Sequence, residues 1–258
     1  MPDACPAPPA RRWSSDLALA VVFMTRLPLR LSGPLAEDAH ARAMGWFPLV
    51  GAGVGLFGGA IYALASLAHI PPLPAALLSL CALVWITGGL HEDGAADVAD
   101  GFGGGRDKAR KLEIMRDSRV GSYGVLAIVF SVAIRASAIA AIADPATVLA
   151  ALAASGALSR GGMAVIARRM APARADGLAA RQGRPTTATV ALSLTIAVAV
   201  ALVALTAKAP AAILAAALAT TIMAALAHRQ IGGHTGDVFG AAQQASEAAV
   251  LLTLSALR

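Results

Sequence analysis

The chain has 258 residues, of which 57% are hydrophobic and only 14% charged, and a formal net charge of +6. Soluble domains carry roughly 25% charged residues, so the composition excludes an ordinary water-soluble domain and describes a chain whose main solvent is lipid. The basic excess needs no nucleic-acid partner, because cations gathered at the ends of membrane spans and facing anionic lipid produce the same balance.

In chain order, residues 1–12, with Pro2, Pro6, Pro8 and Pro9 among small side chains, read as a flexible tail. Asp16–Thr25 is apolar over too few positions to cross a bilayer before Arg26 and Pro28, which predicts a short interfacial or re-entrant helix. Arg11 and Arg12 ahead of it imitate a secretory signal, but no small-residue cleavage site precedes the polar stretch 30–42. A hydrocarbon core requires about 20 apolar residues per helix, and such runs occur at 46–68, 73–90, 122–143, 146–167, 187–206 and 209–227. The run 245–257 is shorter and opens beside Ser246 and Glu247, so it is either a helix tucked against the bundle or, the reading preferred, a seventh span. The fold class expected is all-α: one integral membrane domain over 1–258, a polytopic bundle of about 6–8 membrane helices counting the short N-terminal one.

Gly51, Gly55 and Gly59 recur every four residues inside the first span and read as a helix-packing stripe. A dinucleotide loop would require a strand before those glycines. Small-residue faces of this kind also permit a homo-oligomer without setting a subunit number. Cys5 and Cys81 are too far apart in topology to suggest a bridge and read as free thiols.

The basic residues fall on one side. Segment 1–45 holds Arg11, Arg12, Arg26, Arg30 and Arg42; segment 92–121 holds Arg106, Lys108, Arg110, Lys111, Arg116 and Arg119; segment 168–185 holds Arg168, Arg169, Arg174, Arg181 and Arg184. The alternate loops contain only Lys208. By the positive-inside rule the basic loops are expected to face the cytoplasm.

Chemistry concentrates in that same layer. Glu92, Asp93, Asp97, Asp100, Asp107, Glu113 and Asp117 supply seven of the fifteen acidic residues within a short segment, and 92–121 is expected to be a cytoplasmic acidic active-site loop. Asp93, Asp97 and Asp100 have i, i+4, i+7 spacing and share a face if helical. Carboxylates stacked this way repel one another unless a hard cation sits among them, and oxygen-only ligands favour magnesium, with manganese as the alternative. A set of solvated loop acids balanced by nearby arginines is the bland reading. It is outweighed because the cluster starts where a span ends and is followed by Gly101 and Gly103–Gly105, a run able to cradle phosphate. Glu113 and Asp117 are expected one helical turn apart, flanked by Arg116 and Arg119, and carboxylates beside guanidinium groups are the parts of phosphoryl transfer.

Arg135 and Arg160 lie inside apolar runs, where a charge costs on the order of 3 kcal/mol. Arg160 is near enough to the cytoplasmic end to be expected on phosphate, whereas Arg135 is deeper and could instead pair with another buried group. After the sixth span, His228–Gly240 returns to the same face, so Thr235 and Asp237 are expected to join the acidic segment in one composite site. His91, His228 and His234 match no zinc spacing, and His40 and His69 are isolated.

The segments Phe23–Pro28, Trp46–Gly51, Gly88–Gly94, Ala96–Gly101, Leu112–Arg119 with Gly121, Ser159–Gly161 and Gly232–Asp237 with Gly240 resemble, in this order, the membrane-bound cobalamin synthases, or adenosylcobinamide-GDP ribazoletransferases. Ala95 stands where many members carry a larger apolar residue. The resemblance covers nearly the whole chain. It implies a multi-pass protein of the bacterial cytoplasmic (inner) membrane, with its active site facing the cytoplasm, that joins adenosylcobinamide-GDP to α-ribazole 5′-phosphate or α-ribazole with magnesium and releases GMP. Carried over position by position, Asp93, Asp97 and Asp100 match the family's acidic motif, and Arg116, Asp117 and Arg119 its second motif. Asp93, Asp97, Asp100 and Asp117 are then expected to hold metal and Asp97 to accept the hydroxyl proton, while Glu92, Arg116, Arg119, Arg160, Thr235 and Asp237 contact substrate. A CDP-alcohol phosphotransferase shares fragments of the acidic pattern, but in the wrong order and without a following Ala-Arg. A divalent-cation transporter would need carboxylates within the spans, and none is expected there.

Overall fold

The computed structural model describes residues 9–31, 34–177 and 182–257. Cys5, Arg181 and the first eight residues of the expected tail therefore lie outside the described residues. The described residues are helical without a β-strand. α1 spans Pro9–Met24, α2 Ala39–Ala43, α3 Phe47–Leu67, α4 Pro72–Thr87, α5 Leu90–Gly104 and α6 Lys108–Ile114. α7 spans Ser122–Ile142, α8 Pro145–Arg169, α9 Thr187–Leu205, α10 Ala209–Ile231 and α11 Gly236–Ala256.

The outward faces carry Trp85, Phe130, Val203 and Ile222 more than half exposed, a surface that suits acyl chains and not water. Among the described residues four stretches are long and apolar enough to cross a membrane: Ala39–Leu67, Ser122–Ile142, Pro145–Arg169 and Thr187–Ile231. The last is folded on itself. Thr206 takes φ 48°, and Ala197 of α9 and Thr220 of α10 abut the adjacent glycines Gly161 and Gly162 of α8. A straight helix would set those two residues roughly 35 Å apart, so α9 and α10 are antiparallel neighbours. Each of the six apolar runs thus forms its own helix, and the chain is an all-α, polytopic membrane bundle.

α8 is the central helix, buried along most of its length. The glycine stripe of α3 lies against it. A Cβ on Gly51 would sit 2.1 Å from the carbonyl oxygen of Gly156, one on Gly55 2.0 Å from that of Leu152, and one on Gly59 2.7 Å from Cα of Leu149. Backbones this close draw their attraction from dispersion over small residues, the usual means of helix association in lipid. α1 is fastened to the bundle by Asp16, whose carboxylate accepts from Arg42 Nε at 3.0 Å and Nη2 at 3.1 Å. Leu19, Ala20 and Met24 of α1 are buried in the core.

The main departure from the expected layout lies at α4 and α5. Gly88 and Gly89 both have left-handed φ, 70° and 72°, a conformation glycine adopts without the Cβ penalty. They end α4 and turn the chain through 91°. Beyond them the chain forms a helix and not the expected loop, because Ala96 and Val98 find buried positions and Gly94 lets α5 touch α11. α5 begins beside Arg135, thirteen residues into α7, and ends beside Gly121 and Gly124 at the start of α7. It therefore climbs from roughly 20 Å inside the bundle to the end where the basic loops lie. α11, buried at Val250, Leu251 and Leu254, packs against α5, α7 and α8. It is not among the stretches long and apolar enough to cross a membrane, so in place of the preferred seventh span the structure has a helix tucked into the bundle.

Candidate active site

The helix over 90–104 lines up Asp93, Asp97 and Asp100 as expected, in graded environments: Asp93 exposed, Asp97 half-buried and Asp100 buried. Asp100 is tied to the start of α7, its Oδ2 accepting from Gly121 N at 2.7 Å and its Oδ1 from Gly124 N at 2.9 Å. A helix N-terminus favours a carboxylate through its free N–H groups and its dipole. A Cβ on either glycine would lie within 2.5 Å of that carboxylate, so both positions require glycine. Asp97 lies within electrostatic reach of Asp237, Asp93 and Asp100, with Arg174 opposing them. Among the described residues no protein donor bonds the carboxylates of Asp93 or Asp97.

Asp237 comes from the first turn of α11. Thr235 caps that helix, its Oγ1 accepting from Val238 N at 3.3 Å and donating to Asp237 Oδ2 at 3.0 Å. Arg174 Nη2 stands 3.6 Å from the same oxygen. Two backbone bonds deliver this arginine, Ala173 N to His234 O at 2.8 Å and His234 N to Ala171 O at 3.0 Å, clipping the α8–α9 connection to the α10–α11 turn. Gly233 must lack a side chain there, since a Cβ would sit 2.4 Å from Ala171 O. Burial pushes the His234 imidazole down to about 4, so it is neutral at physiological pH and stacks on Phe239 with ring centroids 4.9 Å apart.

Between these groups opens a cleft of about 120 Å³. Asp93, Arg174 and Asp237 form its polar wall, and Met24, Phe47, Met163 and Phe239, all buried, form an apolar floor. A shallower groove lies farther along α5, towards its C-terminal end, lined by Asp100, Arg110, Asp117 and Arg119. Asp117 is held there by Arg119, whose Nη2 donates to Oδ2 at 2.7 Å and whose backbone N donates to Oδ1 at 3.1 Å. Those donors pull the Asp117 carboxyl down to about 2. α6 ends at Ile114, so Asp117 is not one turn along a helix from Glu113, which pairs with Arg110 instead. Arg116 reaches away to Asp176.

Two expected substrate contacts sit elsewhere. Arg160 is buried at the carbonyl of Gly156, 3.1 Å away, and 3.9 Å from Glu247. Glu92 accepts from Arg135 Nη2 at 3.1 Å and from Gln244 Nε2 at 3.0 Å. Arg135 also donates to Glu247 at 3.0 Å, and Gln243 joins Glu247 to Ser159. The expectation that no carboxylate lies at membrane depth is overturned: Glu92 and Glu247 answer Arg135 and Arg160, a neutral set of four charges that the low dielectric demands. The glycine run 101–105 does not form an open phosphate cradle. It closes the last turn of α5, where Met115, Tyr123 and Lys111 occupy the space side chains would need.

Sequence reasoning missed Arg174, Gln182 and Glu247. Arg174 was one cation among many in a basic loop and Gln182 carried no motif, but a lone glutamate at the head of an apolar run was a signal for Glu247. Among the described residues no three His, Cys, Asp or Glu side chains already converge as a metal site. The donor chemistry nonetheless fits a hard divalent ion, because Asp93, Asp97 and Asp237 are oxygen-only, mutually repelling and short of cations.

The family model described as cobalamin-5-phosphate synthase matches residues 16–255. An adenosylcobinamide-GDP ribazoletransferase of Bradyrhizobium diazoefficiens is 46% identical over 245 residues, covering 95% of this chain and 94% of the relative. Proteins of the same name from Mesorhizobium japonicum and Rhizobium johnstonii are 42% and 40% identical, covering 95% and 94% of this chain and 94% and 97% of their own. No solved structure matches the chain.

Proposed function

The chain belongs to the cobalamin-5-phosphate synthase family, and from that membership we propose that it joins adenosylcobinamide-GDP to α-ribazole 5′-phosphate, or to α-ribazole. The products are GMP and adenosylcobalamin 5′-phosphate, or adenosylcobalamin. It is a transferase and a multi-pass membrane protein. The observation that carries the reading is the acidic face of α5 set against Asp237 and Arg174 across a cleft at the basic end of the bundle. That placement supports a site facing the cytoplasm of the inner membrane, where nucleotide substrates are at hand.

In the reaction a ribose hydroxyl of the nucleoside attacks the phosphorus attached to cobinamide. A new P–O bond forms, the P–O bond to GMP breaks, and the hydroxyl proton leaves to a carboxylate. Asp97 is suited to take it, being half-buried among like charges and bonded to no protein donor among the described residues. Asp93, Asp97 and Asp237 would hold magnesium, which when bound neutralises charge on the pyrophosphate oxygens. Asp100 keeps its two N–H partners and fixes α5 on α7, and Asp117 and Arg119 border the outer groove. Arg174 stands beside Asp237 on the polar wall of the cleft. Cation transport finds little support in the buried carboxylates, since Glu92 and Glu247 are already paired with arginine.

Detergent-purified protein should release GMP from the two substrates only when magnesium is supplied, and Asp93→Ala should lower the rate by at least 100-fold while the protein still inserts. Activity unchanged by chelation, or wild-type rates from the variant, would remove the metal role.

A further inference from the structure

The cleft is asymmetric in a way the reaction alone does not explain. Its inner end is apolar and enclosed, built from Met24 of α1, Phe47 of α3, Met163 of α8 and Phe239 of α11, none more than 6% exposed. Phe23 extends this surface, with its ring stacked on that of Phe47 at 5.7 Å and 2° between planes. Three of the residues lining the same cleft carry a buried polar atom that lacks any hydrogen-bond partner among the described residues: Nη1 of Arg174, Oε1 of Gln182 and Nε2 of His91, the last also bordering the Glu92–Arg135 cluster. Gln182 and His91 are each only 2% exposed. Buried polar groups are nearly always satisfied in a folded protein, so the Arg174 donor and the Gln182 acceptor left bare beside an apolar, aromatic floor describe the missing partner. It has an aromatic plane, an anionic oxygen for the guanidinium, and a donor hydrogen for the amide oxygen.

Resting on the transferase reading, we propose that this enclosed end seats the nucleoside substrate. Its aromatic base lies on the floor formed by Phe47, Met163 and Phe239, Arg174 takes the 5′-phosphate, and Gln182 accepts from a ribose hydroxyl. The cleft, about 120 Å³, is too small to enclose a corrinoid. The larger nucleotide-activated substrate then approaches from the open side of α5, where Arg119 is 86% exposed. This order of seats puts the remaining ribose hydroxyl at the rim, under Asp93, Asp97 and Asp237, with its attack directed outward. The aromatic and sulfur surfaces give affinity for a planar ring without fixing its hydrogen-bonding edge, so the floor reads the base by shape and apolarity.

The test is a two-substrate kinetic analysis of the full-length protein in detergent, with GMP as readout and each substrate varied against the other. Gln182→Ala should raise KM for α-ribazole 5′-phosphate roughly tenfold, the loss of one buried hydrogen bond, and leave KM for adenosylcobinamide-GDP unmoved. Arg174→Ala should raise KM for the phosphorylated nucleoside and spare that for α-ribazole, abolishing the preference between them. Variants that raise KM for adenosylcobinamide-GDP alone would overturn the assignment. A second arm needs no variant: equilibrium dialysis of wild-type protein with α-ribazole should show saturable binding that the free aromatic base displaces and GMP does not. Absence of binding, or displacement by GMP only, would overturn the seat as well. A wild type that binds α-ribazole but releases no GMP would count against the transferase reading and leave the seat standing, so the two failures are distinct.

Discussion

Burial keeps the imidazole of His234 neutral, and this has a consequence for pH. In the unfolded chain the group protonates near 6.5, and in the folded protein only near 4. Between those values the unfolded state binds the extra proton, so stability present above pH 6.5 is lost progressively as pH falls towards 4. A thermal scan in detergent should show the midpoint dropping over that window, and His234→Asn should flatten the dependence; equal slopes in both proteins would show that other groups control it. Asp117, whose carboxyl is also pulled down in the folded protein, acts in the same sense at lower pH but contributes little, because its partner Arg119 is exposed to water. The alignment of Asp93, Asp97 and Asp100 was legible in the sequence because i, i+4, i+7 spacing fixes a shared face once a helix forms. Arg174 and Gln182 were not, since a residue in a long connection is placed by whatever that connection is clipped to, here the backbone of His234 and Ala171.

At the scale of elements, the pairing of α3 with α8 depends on backbone approach and so on the absence of side chains. Gly55→Ala would drive a methyl to 2.0 Å from the carbonyl oxygen of Leu152, with no flexible atom to give way. Gly53→Ala in the same helix meets nothing within 4 Å. The first should lower stability by about 1–3 kcal/mol or more and cut the yield of folded protein, while the second should be neutral. Thermal midpoints of the two variants side by side check this, and equal effects would refute the close-contact account. The four-residue repeat announced this packing because it marks one face of a helix. The bend at Gly88 and Gly89 was not legible as a bend. Two adjacent glycines permit left-handed φ but do not demand it, and only the docking of α5 on α7 and α11 selects it.

The whole molecule is held around four buried charges. Glu92 of α5, Arg135 of α7, Arg160 of α8 and Glu247 of α11 bring four helices to one point, with Gln243 donating to the second oxygen of Glu247 and Gln244 to the Glu92 oxygen that Arg135 also holds. Arg135→Met would leave Glu92 and Glu247 with a single cation and should cost about 3–5 kcal/mol, read as a shift in denaturation midpoint in detergent. Arg135→Met combined with Glu92→Gln restores neutrality and should recover much of that loss. A single variant as stable as wild type would show the network to be incidental. Residue order alone dictates the solvent, the all-α class, the positions of the apolar helices, the basic end and the acidic face, because hydropathy, loop charge and helical period act over neighbouring residues. It took the packed bundle to show that Arg160 and Glu92 serve the interior, that Glu247 belongs with them, and that Arg174 and Gln182 reach the cleft. Those assignments turn on which charges meet across helices in a low-dielectric interior, and no local pattern along the chain encodes such a meeting.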